Sequence, residues 1–524
     1  MLMRSCIRDV AVAALALTLS APAAAQTVEA SVKNDISEPL SSVPPPPLKA
    51  QAAFKKVHRV KRIPPPAGAQ AAAADTAVQK KAAGTLPIGP IGTTEGIGEG
   101  LVIGGQSFFV TSFPADTAGA AGSTQYVQWV NTSLLVIDKA TQKILLGPVD
   151  GSVLWRGFGG NCEHNNDGDP IVLFDRTINR WVLTQFAVSG TPFSQCIAVS
   201  RTDDATGAYH RYEFQYQDFN DYGKFGIWPD GYYSSFNMFK GNAFLGAKVC
   251  AYERDKMIVG NPARMVCFDV PAQGGLVPSD VDGPTAPPAG SPNFVMNLGS
   301  NRLNLWRFQT NWANPGASTF TGPVTIKTAP FQQACPSGPT PGTCVVQPTT
   351  TQRLDTLSDR LMYRLAYRNF GTHESLVVTH SVAVTPTRAA VRWYEVRNPN
   401  ATPMVRQQGT YAPTTTSRWM GSAAMDKMGN LAMGYTASSG SVFPSIRVAG
   451  RLVSDAPGTL RAERIIPTAT GKGAQRDSDR WGDYSSMTLD PADDCTFWYT
   501  AQYQGAKTSD WHTSIVRFKF SACK

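Results

Sequence analysis

The chain has 524 residues, 42% of them hydrophobic but only 17% charged, with Gly 46 and Pro 38. A charge fraction below the usual quarter, with so many turn formers, fits short strands joined by loops better than long helices. Part of the formal net charge of +9 comes from one run near the N-terminus, Lys55, Lys56, Arg59, Lys61 and Arg62; it reads as a solvated basic segment, or a contact to anionic envelope polymers, and not as a nucleic-acid site.

In chain order, Arg4 and Arg8 precede an apolar run, Val10 to Leu19, that is too short to span a membrane. Ala23, Ala24 and Ala25 supply the small residues of a cleavage site before Gln26. A signal peptide is expected over residues 1–25, and with it a secreted or periplasmic location. No other run is long enough for a transmembrane segment. Export would remove Cys6 and leave Cys162, Cys196, Cys250, Cys267, Cys335, Cys344, Cys495 and Cys523. An even count in an oxidising compartment predicts disulfides. Proximity along the chain favours neighbour pairing, Cys162 with Cys196, Cys250 with Cys267, Cys335 with Cys344 and Cys495 with Cys523. None of these spacings is CxxC, so neither a zinc site nor a redox motif is expected.

Residues 26–95 hold Pro44 to Pro47, Pro64 to Pro66 and alanine runs, with few aromatics. They are predicted to form a disordered linker ahead of a folded domain over 96–524. From Gly104 onward short apolar runs alternate with turns. Four segments share one plan, an apolar strand, an Asp, a polar turn and a second strand: LLVIDKATQKILL at Asp138, VLFDRTINRWVL at Asp175, SAAMDKMGNLAMGY at Asp426 and SMTLDPADDCTFWY at Asp490. Asp suits the turn because its carboxylate accepts N–H groups two residues on. A hairpin recurring along a long all-β chain predicts a β-propeller, at about 60–70 residues per blade, of six or seven blades. A pair of β-sandwiches is the alternative.

Several blocks carry a resemblance: YVQWVN (126–131), NNDGDPIVLFDRTINRWVLTQFA (165–187), KFGIWPDGYYSSFNMF (224–239), SDRLMYRLAYRNFGTHESLVVTHSV (358–382), VRWYEVR (391–397) and DRWGDYSSMTLDPADDCTFWYT (479–500). In this order they resemble an uncharacterised family of secreted bacterial proteins with a sialidase-like β-propeller. The resemblance implies the fold but not an activity; together with Arg-, Trp- and Tyr-rich loops and export it motivates a loop-lined cup where carbohydrate is bound or processed. It does not imply sialic acid hydrolysis. The Asp-box S-x-D-x-G-x-T-W is met only as MDKMGNL around Asp426, without the Thr-Trp, and the F/Y-R-I-P motif is missing.

Four constellations are candidate sites. NCEHNNDGDP concentrates oxygen donors, with Asp167 and Asp169 as candidate ligands of calcium; the alternative is an Asx-rich turn. WPDGYY places Trp228, Asp230 and Tyr232 at a turn, where rings could face a sugar; the alternative is packing between blades. RWGDY compresses Arg480, Trp481, Asp483 and Tyr484. Its arginine can hold a carboxylate bidentately, and Asp483 with Tyr484 can share acid and base work on a glycoside; the alternative is a structural Arg–Asp pair under a tryptophan. Arg360, Arg364 and Arg368 share one side of a helix or a strand and would attract an acidic polymer if they lined the cup. No GxSxG elbow, P-loop or dinucleotide fingerprint is found. The expectation is a monomer that binds or processes carbohydrate, an acidic glycan by its arginines, and, if an enzyme, a sialidase-like glycoside hydrolase or a polysaccharide lyase. The alternative is a non-catalytic cell-surface or envelope interaction module. No cofactor other than calcium is expected.

Overall fold

The structure, a computed structural model, describes residues 25–43, 56–57, 61–64, 74–103, 106–110, 112–336, 342–507 and 510–524. The expected signal peptide lies, up to residue 24, outside the described residues. Among the described residues seven antiparallel meanders of four strands follow one another. The first is Thr117–Ala121, Gln125–Val130, Ser133–Asp138 and Ile144–Asp150; the second Gly168–Asp175, Arg180–Ala187, Phe193–Ser200 and Tyr209–Tyr216. The third is Phe219–Trp228, Gly231–Lys240, Ala243–Tyr252 and Arg264–Val270; the fourth Val277–Asp282, Asn293–Gly299, Arg302–Gln309 and Thr319–Lys327. The fifth is Met362–Asn369, Glu374–Thr385, Arg388–Arg397 and Met404–Tyr411; the sixth Ser417–Met425, Leu431–Ser439, Val442–Arg451 and Arg464–Ile465. The seventh, Ser486–Leu489, Phe497–Gln504 and Trp511–Phe518, takes its fourth strand, Gly92–Glu95, from the N-terminal part of the chain.

The first strand of each meander lies against the first strand of the next, and Ser486–Leu489 returns to Thr117–Ala121. The sheets are therefore blades around a common axis, a β-propeller. Between the fourth and fifth blades the inner strands are hydrogen-bonded in parallel, with Ser279 opposite Leu365 and Asp282 opposite Arg368.

Stacking buries both faces of each sheet, which explains why alternation is weak within strands. Gly231 to Phe239 is buried without a break. Near the axis the space is narrow and residues are small, as in the TAGAA of Thr117–Ala121. A Cβ on Gly226 would lie 2.4 Å from the Ser279 carbonyl oxygen, so only glycine fits where the third and fourth inner strands meet. Further out, aromatics fill the wedge between blades. Trp228 packs edge-on to Tyr367 at 4.8 Å and to Phe294 at 5.6 Å, and Tyr126 stacks on Trp498 at 5.0 Å. Such pairs contribute about 0.5–1.5 kcal/mol beyond their burial.

Among the described residues the four disulfides are the neighbour pairs, Cys162–Cys196, Cys250–Cys267, Cys335–Cys344 and Cys495–Cys523. Cys250 and Cys267 stand directly opposite each other on adjacent strands, while Cys495–Cys523 ties the seventh blade to the last residues of the chain.

Two details differ from the sequence reading. Asp175, Asp426 and Asp490 stand at the turn after an inner strand, but Asp138 ends the third strand of its blade; a turn-forming Asp reports a hairpin without reporting which one. The stretch 26–95 also supplies structure where a disordered linker was expected. Gln26–Ala30 adds to the edge of the third blade, Lys33–Ile36 to the second and Val78–Gln79 to the fifth. Edge strands present unpaired N–H and C=O groups, and a short polar segment satisfies them without any apolar pattern of its own. Residues 44–55, 58–60 and 65–73 of that stretch lie outside the described residues.

Candidate active site at the mouth of the ring

Every connector between blades delivers the chain to the start of an inner strand, so these starts gather at one end, the mouth. Asp116 precedes Thr117–Ala121, Asp169 lies within Gly168–Asp175, and Asp221, Tyr222 and Lys224 lie within Phe219–Trp228. The long connectors bring Arg360 ahead of Met362–Asn369, and Arg480, Asp483 and Tyr484 ahead of Ser486–Leu489. Asp116, Asp169, Tyr222 and Asp483 have φ of 45°, 48°, 59° and 47°. Held in the left-handed region, a non-glycine residue costs on the order of 1 kcal/mol or more. Gly275 and Met420 share the bend, at 60° and 53°. The bend thus belongs to how the chain turns into an inner strand, and four of these positions carry polar side chains.

Lys224 is at the centre. Its Nζ sits 3.5 Å from the ring centre of Tyr222 and 3.9 Å from that of Tyr484, and donates to the Gly223 carbonyl at 3.1 Å. Burial pulls its ammonium down to about 8, against the opposing charges of Asp169, Asp116 and Asp483. Arg480 donates to both carboxylate oxygens of Asp483, and Arg360 to those of Asp359 at 2.8 and 3.1 Å, with its guanidinium 4.5 Å above the Tyr222 ring. Asp169 accepts the Tyr222 N–H at 3.1 Å. The tyrosine hydroxyls are anchored on backbone, Tyr222 on the Asp483 carbonyl at 3.1 Å and Tyr484 on the Pro170 carbonyl at 3.0 Å.

Two carboxyl groups differ from the rest. Asp116 is 2% exposed and its Oδ1 has no partner. Burial, reinforced by the charges of Asp483 and Asp169, holds it well above the usual carboxylate range, with Arg480 and Lys224 opposing. Asp221 is partly exposed, and its side chain makes no hydrogen bond or ion pair among the described residues. Burial and the Asp169 charge push it up to about 7, although Arg360 and Arg480 pull the other way.

The far end, where inner strands turn outward, is organised differently. Arg254 bonds Asp175 at 2.7 Å, Lys139 bonds Asp490 at 2.7 Å, and Arg368 and Arg176 share Asp494 at 2.7 and 3.0 Å. Arg364 is clamped between Asp280 and Asp282, both at 2.7 Å. Around this last triad only a cavity of about 30 Å³ remains, room for roughly one water molecule. A larger cleft of about 720 Å³ lies at the outer rim beside Gln26–Ala30, where Lys248 and Asp269 pair at 2.6 Å.

Of the residues singled out in the sequence, the structure brings Arg360, Arg480, Asp483 and Tyr484 together at the mouth, with Asp169. Trp481 is buried behind them against Trp419, its Nε1 donating to Thr436 at 3.1 Å. Arg364 and Arg368 run down the channel into ion pairs. Trp228, Asp230 and Tyr232 stand at the far end. There Trp228 packs between blades, Asp230 accepts from Thr310 and Tyr233, and the Tyr232 hydroxyl donates to Asp175 at 3.3 Å. Asp167 accepts the N–H groups of Val188 and Ser189 at 2.6 and 2.8 Å, so it braces the loop after Arg180–Ala187 and does not close an Asx turn of its own. No three His, Cys, Asp or Glu side chains among the described residues are placed to hold a metal ion. Sequence reasoning missed Asp116, Asp221 and Lys224. The signal was an Asp shortly before or within each of four inner strands, in SFPAD, DGDPI, FNDYGK and RWGDY.

No family model matches the sequence, and no curated protein matches it. Among solved structures the chain is similar to the N-terminal domain of Nup159, at 6% identity over 85% of this chain and 100% of that chain, with a TM-score of 0.35. It is similar to the WD40 domain of SCAP from fission yeast, at 9% identity over 84% and 96%, TM-score 0.31. It is also similar to an exo-beta-1,3-galactanase from Clostridium thermocellum, at 9% identity over 82% and 97%, TM-score 0.30. At such scores these likenesses carry no argument about chemistry.

Proposed function

We propose that the chain binds carbohydrate at the mouth of the ring and hydrolyses a glycosidic bond there. One observation carries the reading: Asp221 is a partly exposed carboxyl group, without a partner, beside the ion-paired carboxylate of Asp483. Glycoside cleavage needs two such groups in different environments, one that still holds a proton at working pH and one that is charged. Asp221, pushed up to about 7, is the proton donor to the leaving oxygen. Asp483, oriented by Arg480, is the carboxylate that attacks or stabilises the anomeric carbon. Lys224 and the tyrosine rings hold the floor. Arg360, Arg364, Arg368 and Arg480 are each paired to an aspartate, so none of the expected arginines is left to grip a substrate carboxylate. The acidic glycan expected from them loses that support. Four disulfides favour work outside the cytoplasm.

The test is release of reducing ends from a panel of oligosaccharides. Asp221→Asn is expected to lower turnover by about 10²–10⁴-fold while leaving binding in place, and the rate to fall as pH rises through about 7, where Asp221 loses its proton. Binding without product across the panel would instead favour a non-catalytic interaction module. An Asp221→Asn protein with wild-type turnover would remove Asp221 from the chemistry.

A further inference from the structure

We infer that the mouth is built for a sugar carrying a free ammonium group, an amino sugar seated among Asp116, Asp169 and Asp221. The inference rests on the carbohydrate reading and names its substrate class. The charged groups that face one another at the mouth come from several elements. They are Asp116, Asp169, Asp221, Asp355, Asp359 and Asp483 on one side, and Arg62, Lys224, Arg360 and Arg480 on the other. Arg62 is paired with Asp355, Arg360 with Asp359 and Arg480 with Asp483. These pairings leave three carboxyl groups, Asp116, Asp169 and Asp221, facing one ammonium, Lys224, whose Nζ is held between two tyrosine rings and a backbone carbonyl. With all three ionised the mouth is short of positive charge, although the chain as a whole has a net charge of +9.

A second observation points to a ligand. Gln502 is 2% exposed, and its Oε1 accepts the N–H of Ala115, the neighbour of Asp116, at 3.4 Å. Its Nε2 has no partner, and neither has Asp116 Oδ1. A buried donor on Gln502 and a buried acceptor on Asp116, the residue after the one Gln502 bonds, match a sugar, whose hydroxyl accepts from the amide while its ammonium donates to the carboxylate. The carboxylates are not placed to chelate a metal ion, whereas an ammonium donates its three hydrogen bonds in diverging directions. The proton-holding state of Asp116 fits as well, since an arriving cation favours the charged carboxylate and would release its proton on binding, while Asp221 keeps the proton that cleavage needs.

The experiment is isothermal titration of the full exported chain with three oligomers of equal length: a β-1,4-glucosamine hexamer, its N-acetylated counterpart and a galacturonate hexamer. We expect the glucosamine hexamer to bind at least about tenfold more tightly than the other two, with proton release at pH 6 seen in buffers of different ionisation heat. Asp221→Asn and Asp116→Asn, each checked for a single cooperative melting transition, are expected to shrink that preference to below about threefold. Non-specific attraction by the net positive charge works against this result and for the galacturonate, so the preference cannot come from overall charge. Equal or tighter binding of the acetylated or the acidic oligomer, unchanged in the variants, overturns the amino-sugar inference and leaves the carbohydrate reading standing. Failure of all three to bind sinks both.

Discussion

The mouth and the far end of the ring use the same residues for opposite purposes. Both carry aspartates at the ends of inner strands, the mouth near their starts and the far end at or just after their last residues. At the far end Asp175, Asp282, Asp490 and Asp494 each meet an arginine or lysine. At the mouth Asp116 and Asp221 meet none, and their burial is left unbalanced. Paired charges hold blades together; unpaired ones are kept in a state that chemistry can use. The difference lies in what the neighbouring blade supplies, since the fifth inner strand sends Arg364 and Arg368 inward while Arg360 turns back onto Asp359.

The strongest test of this contrast is Arg364→Ala. It leaves Asp280 and Asp282 buried without their cation, and we expect a loss of about 3–5 kcal/mol in thermal or denaturant unfolding. A melting transition that barely moves would mean that the far-end pairs hold little. Next in size is the response to pH, where the two ends have opposite signs. Asp221 is raised in the folded chain from the ordinary 3.8 to about 7. Its contribution to stability is full below about 4 and is lost as pH rises through about 7. Asp494 is raised by burial, but bonds and charge from Arg368 and Arg176 outweigh this and lower it. Its contribution is present above about 4 and lost as pH falls below that. Unfolding curves from pH 3 to 8 should show Asp221→Asn flattening the upper limb and Asp494→Asn the lower. Identical profiles for the two variants would erase the distinction between the ends. The smallest effect is expected from Tyr484→Phe. It removes the bond to the Pro170 carbonyl for about 0.5–1.5 kcal/mol and keeps the ring over Lys224, so turnover should survive; its disappearance would give the hydroxyl a chemical role.

The blades were legible because hairpins are local: LLVIDKATQKILL or VLFDRTINRWVL shows both strands and the turn in one reading frame. The disulfides were legible for the same reason, each joining neighbours along the chain. The edge strands Lys33–Ile36 and Val78–Gln79 were not. They are two to four residues long and gain their partners from sheets far away in sequence. The site followed the same divide. Arg480, Asp483 and Tyr484 stand within five residues and were found together, as was the arginine row. Asp116, Asp221 and Lys224 reach the mouth from separate blades, and an isolated aspartate before a strand looks like any turn residue. Asp169 was noticed only for its acidic neighbours, with calcium in view.

The strand that closes the ring, Gly92–Glu95, pairs Gly92 with Arg517. Its partner, Trp511–Phe518, is therefore synthesised long after the closing strand itself. Until then both edges stay open, and a contact of such sequence separation makes for slow folding. During that interval a leader strand from another molecule fits the same edge as well as the chain's own does. Crowded refolding should therefore yield a proportion of exchanged dimers, each ring fastened by its neighbour's N-terminal strand.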